Sequence, residues 1–241
     1  MRCQLAEKLR VYICSIFNQS CTLCNEPALP GLGLCEACEQ ELPWLAPGCA
    51  VCALPMPGVL CHDCLLHPPP FTRVEAPLAY GFPVDALASR FKHRRQWPLG
   101  RLLGDLLARH LCHRFDEGLA RPDLLLPVPL SRKRLRQRGF NQAGLLAQWL
   151  SGPLRLPSQP HWALRPQHTQ AQQSLDFAAR QANLQTAFAL APAARVEGLH
   201  LALVDDVMTT GATARALAYL LREAGAARVD VYCAARTPRA T

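Results

Sequence analysis

Apolar residues along the chain fall into short runs typical of buried strands and longer stretches with helical spacing. Strands are predicted over 73–80, 122–129, 201–204 and 227–234, where apolar residues follow one another closely. Leucine, alanine and phenylalanine recur at helical spacing in four stretches, and these predict helices over 83–95, 98–115, 141–150 and 214–221. Because strands and helices alternate, the pattern predicts an α/β fold built on parallel strands.

Three consecutive prolines at 68–70 separate a cysteine-rich part from this α/β region. We therefore expect two domains, with a leading helix and a zinc-binding module in 1–68 and the α/β domain in 69–241. The leading helix is predicted over 4–17 from its amphipathic pattern. Docking onto the next module is its expected role, and contact with a membrane surface is the alternative.

A second irregular region, 152–190, is polar and poorly periodic. A segment of this length without regular structure is often a lid over a binding site. We expect it to form a mobile hood, and we assign Arg165 and Gln172 to that hood.

Composition and charge narrow the classes of partner. Half of the 241 residues are hydrophobic, which is enough for a sizeable core. The net charge of +8 at pH 7 favours acidic partners such as phosphates, nucleic acid or anionic lipid. The sequence has no apolar run of about 18 residues, so we expect no transmembrane segment. Charged residues near the N-terminus interrupt any signal-peptide core, which predicts a cytoplasmic protein.

Eight cysteines form four Cys-x-x-Cys pairs within 21–64. Each such turn directs two thiolates at one point, and two turns complete a tetrahedral Zn²⁺ site. We expect about two zinc ions per chain, in closed all-sulfur sites that are structural rather than catalytic. Disulfides are the alternative, although a reducing compartment disfavours them. We expect neighbouring pairs to share a zinc ion, and interleaved pairing stays open. The predicted ligands are Cys21, Cys24, Cys35, Cys38, Cys49, Cys52, Cys61 and Cys64.

A strand, two acidic residues, a small hydroxyl-rich loop and a helix follow one another at 201–221. The first amides of a helix lack intrahelical partners and the helix dipole adds positive charge, so a phosphate fits there. Asp205 and Asp206 would repel a phosphate, and we expect them to face sugar hydroxyls or a hydrated Mg²⁺. A ribose 5-phosphate satisfies both halves, whereas ordinary helix capping is the alternative. The predicted phosphate-binding residues are Thr209, Thr210, Gly211, Ala212 and Thr213.

Five of the seven residues in 132–138 are basic. The run follows the predicted strand 122–129, and we expect it to form a loop and the first turn of the next helix. Because parallel strands end at the same edge of a sheet, we expect this loop to contact a second anionic group such as pyrophosphate. A solvated charged surface is the alternative. The predicted pyrophosphate-binding residues are Ser131, Arg132, Lys133 and Arg134.

Together these segments resemble the ComF family of competence-associated proteins, including its GntX-type members. The blocks that carry the resemblance are the cysteine pairs, 127–142, 169–188 and the loop at 201–213. The loop itself resembles the phosphoribosyl pyrophosphate (PRPP) binding loop of type I phosphoribosyltransferases. The hood block departs from the family pattern at Gln170 and Ala171, where prolines often stand.

The resemblance implies a type I phosphoribosyltransferase-like domain, with a parallel sheet and helices on both faces, preceded by a double zinc ribbon. It implies PRPP or another ribose 5-phosphate compound as the ligand, with Mg²⁺ bound beside it at Asp205 and Asp206. It also implies a role in DNA uptake or utilisation, with proteins of the competence machinery as partners, or in nucleotide metabolism.

Two functions compete at this point. One is an enzyme that transfers a phosphoribosyl group and releases pyrophosphate, in which Mg²⁺ and basic side chains stabilise the leaving group. The other is a non-catalytic module that binds nucleotides or single-stranded DNA through its zinc ribbons and basic surfaces. Fold alone does not decide between them, and no motif specifies an acceptor base.

Overall fold

The structure is a computed structural model that describes residues 20–29, 31–166 and 187–238. The helix predicted over 4–17 lies outside these residues, and so does most of the predicted hood, including Gln172. Among the residues described, no helix combines the length and the apolar character needed to cross a membrane.

The described residues form the predicted helices and strands, except that the strand predicted over 73–80 is divided into two short strands, and they include several shorter elements. The helices are α1 (Glu36–Gln40), α2 (His62–Leu66), α3 (Val84–Arg94), α4 (Trp97–Asp116), α5 (Arg132–Arg138), α6 (Gln142–Leu154) and α7 (Ala212–Glu223). The strands are β1 (Arg73–Glu75), β2 (Leu78–Ala79), β3 (Leu124–Pro127), β4 (Ala163–Leu164), β5 (Ala189–Leu190), β6 (His200–Met208) and β7 (Arg228–Arg236).

Five of these strands form a parallel sheet in the order β1-β7-β6-β3, and β2 pairs with β7 beyond the end of β1. The register places Leu124 of β3 beside Leu201 of β6, and Asp205 of β6 beside Cys233 of β7. The short strands β4 and β5 form a separate antiparallel pair. Because the sheet is parallel, the segments that follow β3, β6 and β7 all emerge at its carboxyl edge.

Side chains alternate between the two faces of the sheet, and helices cover both faces. Leu203 of β6 packs in one cluster with Leu217 of α7. Val204, the next residue, packs in another cluster with Leu107 of α4 and Leu146 of α6. The prediction of a parallel sheet with helices on both faces is confirmed.

The two cysteine-rich segments pack against opposite faces of the same sheet. Leu34 and Leu42, from the first segment, belong to a cluster with Leu103 of α4. Leu54, from the second segment, belongs to the cluster that contains Val231 of β7 and the residues of α7. The second segment therefore lies on the face that carries α7.

Strand β6 is longer than the apolar run predicts, and the two acidic residues lie inside it rather than beyond its end. The neighbouring strand β7 continues to Arg236 and provides partners for Val207 and Met208. Pairing with β7 therefore extends β6 past the two acidic residues, although aspartate has a low preference for strands.

The basic run also differs from its prediction, because it forms the helix α5 instead of a loop and a first turn. Ser131 caps this helix, since its Oγ accepts a hydrogen bond from the backbone N–H of Arg134 at 3.3 Å. Gly139, with φ of +80°, ends it in the left-handed conformation that favours glycine.

Candidate functional site

The loop between β6 and α7 surrounds a small cavity at the carboxyl edge of the sheet. The cavity has a volume of about 60 Å³, and its lining includes Val128, Asp205 and the whole loop 209–213. Gly211 has φ of +77°, and its carbonyl accepts a hydrogen bond from the N–H of Arg215 at 2.8 Å. The five residues predicted to bind a phosphate are thus brought together around one cavity.

The donors around this cavity suit an anion. Thr210 Oγ1 accepts a hydrogen bond from the N–H of Ala212 at 3.3 Å, which leaves the hydroxyl hydrogen of Thr210 free to donate. Thr209 and Thr210 are exposed, and Thr213 is half-buried. The first amides of α7, a helix of 12 residues, have no intrahelical partner and carry the positive end of its dipole. A phosphate group would receive hydrogen bonds from both sets of donors.

The two acids of β6 have different surroundings. Asp205 lines the cavity, whereas Asp206 is buried and forms an ion pair with Nζ of Lys92 on α3. Burial, and then the charge of Asp206, raise the pKa of Asp205 well above its usual range. Asp205 is therefore the acid placed to meet a ligand or a cation.

We expect Asp205→Asn to raise the melting temperature of the Mg²⁺-free protein at pH 8 by about 2–4 °C, the shift that about 1 kcal/mol produces in a domain of this size. The pKa of Asp205 is higher in the folded state than in the unfolded state, where it is about 4. The protonated Asp205 therefore adds to the stability of the fold at low pH, and this contribution is lost as the pH rises from about 4 through the folded-state pKa. Asparagine carries no charge and avoids this loss.

Calorimetric melting curves of wild type and Asp205→Asn across pH 4–8 measure this effect, and the gain should vanish near pH 4. The exposed Asp116→Asn is the matched control and should show no such gain. An Asp205→Asn protein whose melting temperature equals that of wild type at every pH would refute the argument.

Helix α5 brings uncompensated positive charge to the same edge of the sheet. It follows β3, whose last residue, Pro127, lies beside Val204 of β6. Asn141, which follows α5, donates from Nδ2 to the carbonyl of Val128 at 3.0 Å. This bond connects the C-terminal end of α5 to a residue that lines the cavity. In the part of the chain that the structure describes, none of the five basic side chains of α5 pairs with a carboxylate. The predicted residues 131–134 therefore remain available for an anion.

The structure also brings one predicted hood residue to this helix. Arg165 follows β4, and its guanidinium lies over the ring of Phe188 at 5.2 Å from the centroid. Burial, and then the charge of Arg134, lower the pKa of Arg165. Arg165 therefore lies where its charge adds to that of Arg134, as a shared anion site requires.

Three residues near the cavity were not predicted from the sequence. Lys92 pairs with Asp206. Arg236 donates to the carbonyl of Met208, just before the loop, and Arg215, which follows the loop, donates to the carbonyl of His67. Lys92 belongs to a basic run at 92–95 that is visible in the sequence, but nothing in that run identifies Asp206 as its partner.

The eight predicted zinc ligands form two groups of four whose sulfur atoms lie within 4.8 Å of one another. Tetrahedral zinc with Zn–S bonds of about 2.3 Å needs sulfurs roughly 3.8 Å apart. The sulfurs of Cys24 and Cys35 are 3.5 Å apart, and those of Cys52 and Cys61 are 3.6 Å apart. The first tetrad comes from 21–38 and the second from 49–64, which confirms pairing of neighbouring turns. The two tetrads fit two structural zinc ions.

The tetrads differ in exposure. Cys24 of the first tetrad is exposed, whereas all four cysteines of the second tetrad are buried. Burial opposes ionisation of Cys49, but hydrogen bonds from the backbone of Cys52, Cys61 and Val51 lower its pKa to about 6. His62, near the second tetrad, is exposed and belongs to neither group.

We expect the isolated protein to contain two zinc ions and to release them to a chelator in two phases. The exposed first tetrad should lose its zinc first, and the buried second tetrad should be slower by about tenfold or more, because it opens only by local unfolding. Absorbance of a zinc-sensitive dye measures both phases. Cys24→Ser should retain only the slow phase, and persistence of the fast phase in this variant would show that the assignment is wrong.

Three comparisons place the chain among known proteins. The sequence profile of the family described as "Double zinc ribbon domain" matches residues 13–65. DNA utilization protein YhgH of Salmonella typhi is 37% identical over 221 residues, which cover 90% of this chain and 96% of that protein. Competence protein F of Haemophilus influenzae is 34% identical over 234 residues, which cover 92% of this chain and 99% of that protein.

Solved structures overlay with little more than half of the chain. Glutamine PRPP amidotransferase from B. subtilis, complexed with ADP and GMP, overlays with 56% of this chain and 26% of its own at a TM-score of 0.37 and 22% identity. A purine phosphoribosyltransferase from Pyrococcus horikoshii overlays with 57% of this chain and 73% of its own at a TM-score of 0.35 and 16% identity. The architecture follows from the strand order and register of the chain itself.

Proposed function

The chain belongs to the family of DNA utilization protein YhgH and competence protein F, and we propose that it binds PRPP or another ribose 5-phosphate compound between β6 and α7. The ComF resemblance is confirmed by these relatives. The observation that carries the proposal is the cavity itself. Its lining combines the threonine-rich loop 209–213 and the start of α7 with Asp205.

The loop and Asp205 suit the two parts of a ribose 5-phosphate. The loop 209–213 has hydrogen-bond donors and no negatively charged side chain, so it suits the phosphate. Each hydrogen bond to that charged group contributes about 1.5–3 kcal/mol. Asp205 accepts hydrogen bonds, so it suits the ribose hydroxyls. Asp206, held by Lys92, acts on the ligand through its charge and not by direct contact.

Magnesium fits the same site. Burial and the charge of Asp206 disfavour the charged form of Asp205. A divalent cation beside Asp205 would stabilise that charged form. Mg²⁺ held beside Asp205 would supply positive charge that stabilises a departing pyrophosphate. Helix α5 and Arg165 supply further positive charge for that pyrophosphate. This set of groups supports phosphoribosyl transfer with release of pyrophosphate.

Thermal shift with fragments of the ligand tests the binding proposal. Ribose alone should not change the melting temperature, whereas ribose 5-phosphate and PRPP should raise it by mass action. Adding Mg²⁺ should raise it further with PRPP only, and Asp205→Asn should lose this additional gain. If ribose and ribose 5-phosphate give the same shift, the loop does not recognise the phosphate. Pyrophosphate release from PRPP across a panel of free bases tests turnover separately.

A second candidate function, binding of single-stranded DNA, is favoured by a basic and aromatic surface beside α5. The rings of Trp97 and Phe140 lie 4.7 Å apart, and Trp97 is 43% exposed. Gly139 allows the guanidinium of Arg95 to approach closely, because a Cβ at this glycine would lie 2.8 Å from Arg95 Nη2. Exposed aromatic rings beside basic side chains are typical of surfaces on which unpaired bases stack.

Charge reversal distinguishes this function from a solvated surface. Arg132→Glu/Lys133→Glu should lower affinity for an oligothymidine and flatten its salt dependence, because fewer counterions are released on binding. Arg155→Glu/Arg195→Glu changes the net charge equally at exposed positions elsewhere and is the matched control. Equal losses in the two double variants would indicate a nonspecific effect of net charge.

The cysteine tetrads and the relatives also bear on cellular context. Thiolate zinc sites persist in reducing compartments, which supports a cytoplasmic location. The names of the relatives support a role in DNA uptake or utilisation, in which proteins of the competence machinery are partners.

A further inference from the structure

We propose that the second zinc ribbon, the segment 49–67, holds the loop 209–213 in its phosphate-binding conformation, with Arg236 and Arg215 as the positioning residues. The inference rests on the proposed function, because it assigns a supporting structure to the same cavity. The second zinc site would then affect ligand affinity, although it is far from the loop in the sequence.

Arg236 joins one cysteine turn of this ribbon to the start of the loop. It is the last residue of β7 and only 5% exposed. Its Nε donates to the carbonyl of Cys52 at 2.9 Å, and its Nη1 donates to the carbonyls of Met208 at 3.1 Å and Thr209. The backbone N–H of Thr237 adds a bond to Met208 O at 2.9 Å. One guanidinium therefore connects a zinc ligand to the first residue of the loop.

Arg215 joins the other cysteine turn to the end of the loop. It lies in the first turn of α7, where its own N–H bonds to Gly211 O. Its Nη2 contacts Asp63 Oδ2 at 2.8 Å, and its Nη1 donates to the carbonyl of His67 at 2.9 Å. Asp63 lies in α2, which Cys61 caps and which contains Cys64. Arg236 and Arg215 thus connect the two ends of the loop to the second zinc ribbon.

The two ribbons differ in this respect. Within the described ranges, no hydrogen bond links the first tetrad to the loop, and its surroundings pack against α3 and α4 instead. The charge of Arg236 also faces carbonyls only, since no carboxylate in those ranges pairs with it. Its positive charge therefore adds to the attraction of an anion at the cavity.

Four variants of the zinc-loaded protein test the inference. Arg236→Gln and Arg215→Gln remove the two connections. Arg222→Gln is the matched control, because Arg222 lies on the same helix α7 and donates to the carbonyls of Ala226 and Ala227 at its far end. The measurements are zinc per chain, hydrogen exchange of the peptide 207–215, and the Kd for ribose 5-phosphate as the probe.

We expect amide exchange in 207–215 to accelerate in Arg236→Gln and Arg215→Gln, and the Kd for ribose 5-phosphate to rise about tenfold, because the loop is no longer preorganised. Zinc content should stay at two per chain, Arg236→Lys should be intermediate, and Arg222→Gln should match wild type. Arg215→Gln decides the matter if Arg236→Gln fails to fold, since the Arg215 side chain lies nearer the surface.

Wild-type exchange and wild-type affinity in Arg215→Gln would overturn the inference. If the wild-type protein does not bind ribose 5-phosphate, the proposed function fails, and hydrogen exchange of the loop still decides whether the ribbon positions it. The two failures are therefore distinguishable.

Discussion

Replacing Thr210 and Thr213 together with alanine is expected to weaken binding of ribose 5-phosphate by about 3–6 kcal/mol, at 1.5–3 kcal/mol for each hydrogen bond to a charged group. Both side chains line the cavity between β6 and α7. The hydroxyl of Thr210 already accepts the N–H of Ala212, so its hydrogen is directed to solvent or ligand. The loss should be the same with and without Mg²⁺, because the threonines contact the phosphate and not the cation.

The matched control is Thr210→Ser/Thr213→Ser, which keeps both hydroxyls and removes only methyl groups. This variant should retain most of the affinity in calorimetric titrations with ribose 5-phosphate. A loss of less than about 1 kcal/mol in the alanine variant would mean that the threonines are ordinary helix caps, the alternative reading of this loop.

Replacing Lys92 with methionine is expected to lower the free energy of unfolding by about 3 kcal/mol, because the change leaves the carboxylate of Asp206 buried and without a counter-charge. The Asp206 side chain is 5% exposed and that of Lys92 is 18% exposed. We use the lower end of the range for broken buried ion pairs because the ammonium retains some contact with water. Urea denaturation measures the loss.

Adding Asp206→Asn to Lys92→Met should recover most of this stability, since the double variant has no buried charge at the pair. Lys133→Met, on the exposed surface of α5, is the matched control and should change stability by less than about 0.5 kcal/mol. A double variant no more stable than Lys92→Met alone would show that the loss comes from packing of the lysine side chain and not from the unpaired charge.

The parts of the site that depend on local spacing were predictable from the sequence. Two cysteines with two residues between them direct their sulfurs to one point, so the tetrads follow from the four Cys-x-x-Cys turns. The loop 209–213 lies between a strand and a helix that both have strong periodic patterns. Its position at the carboxyl edge of the sheet then follows from parallel pairing.

The parts that depend on distant residues were not predictable. Asp206 and Lys92 are far apart in sequence, and only the packing of α3 against the end of β6 brings them together. Periodicity shows which side of a strand is buried, but it does not identify the partner of a buried charge. The same holds for Arg236, whose contact with Cys52 depends on how the second ribbon packs on the sheet.

The most direct measurement of the central claim is a calorimetric titration of the zinc-loaded protein with PRPP, with and without Mg²⁺. We expect one site per chain, tighter binding when Mg²⁺ is present, and displacement of PRPP by ribose 5-phosphate. Asp205→Asn should bind with the same affinity whether or not Mg²⁺ is added. Absence of binding at millimolar PRPP, in a protein that contains both zinc ions, would contradict the account.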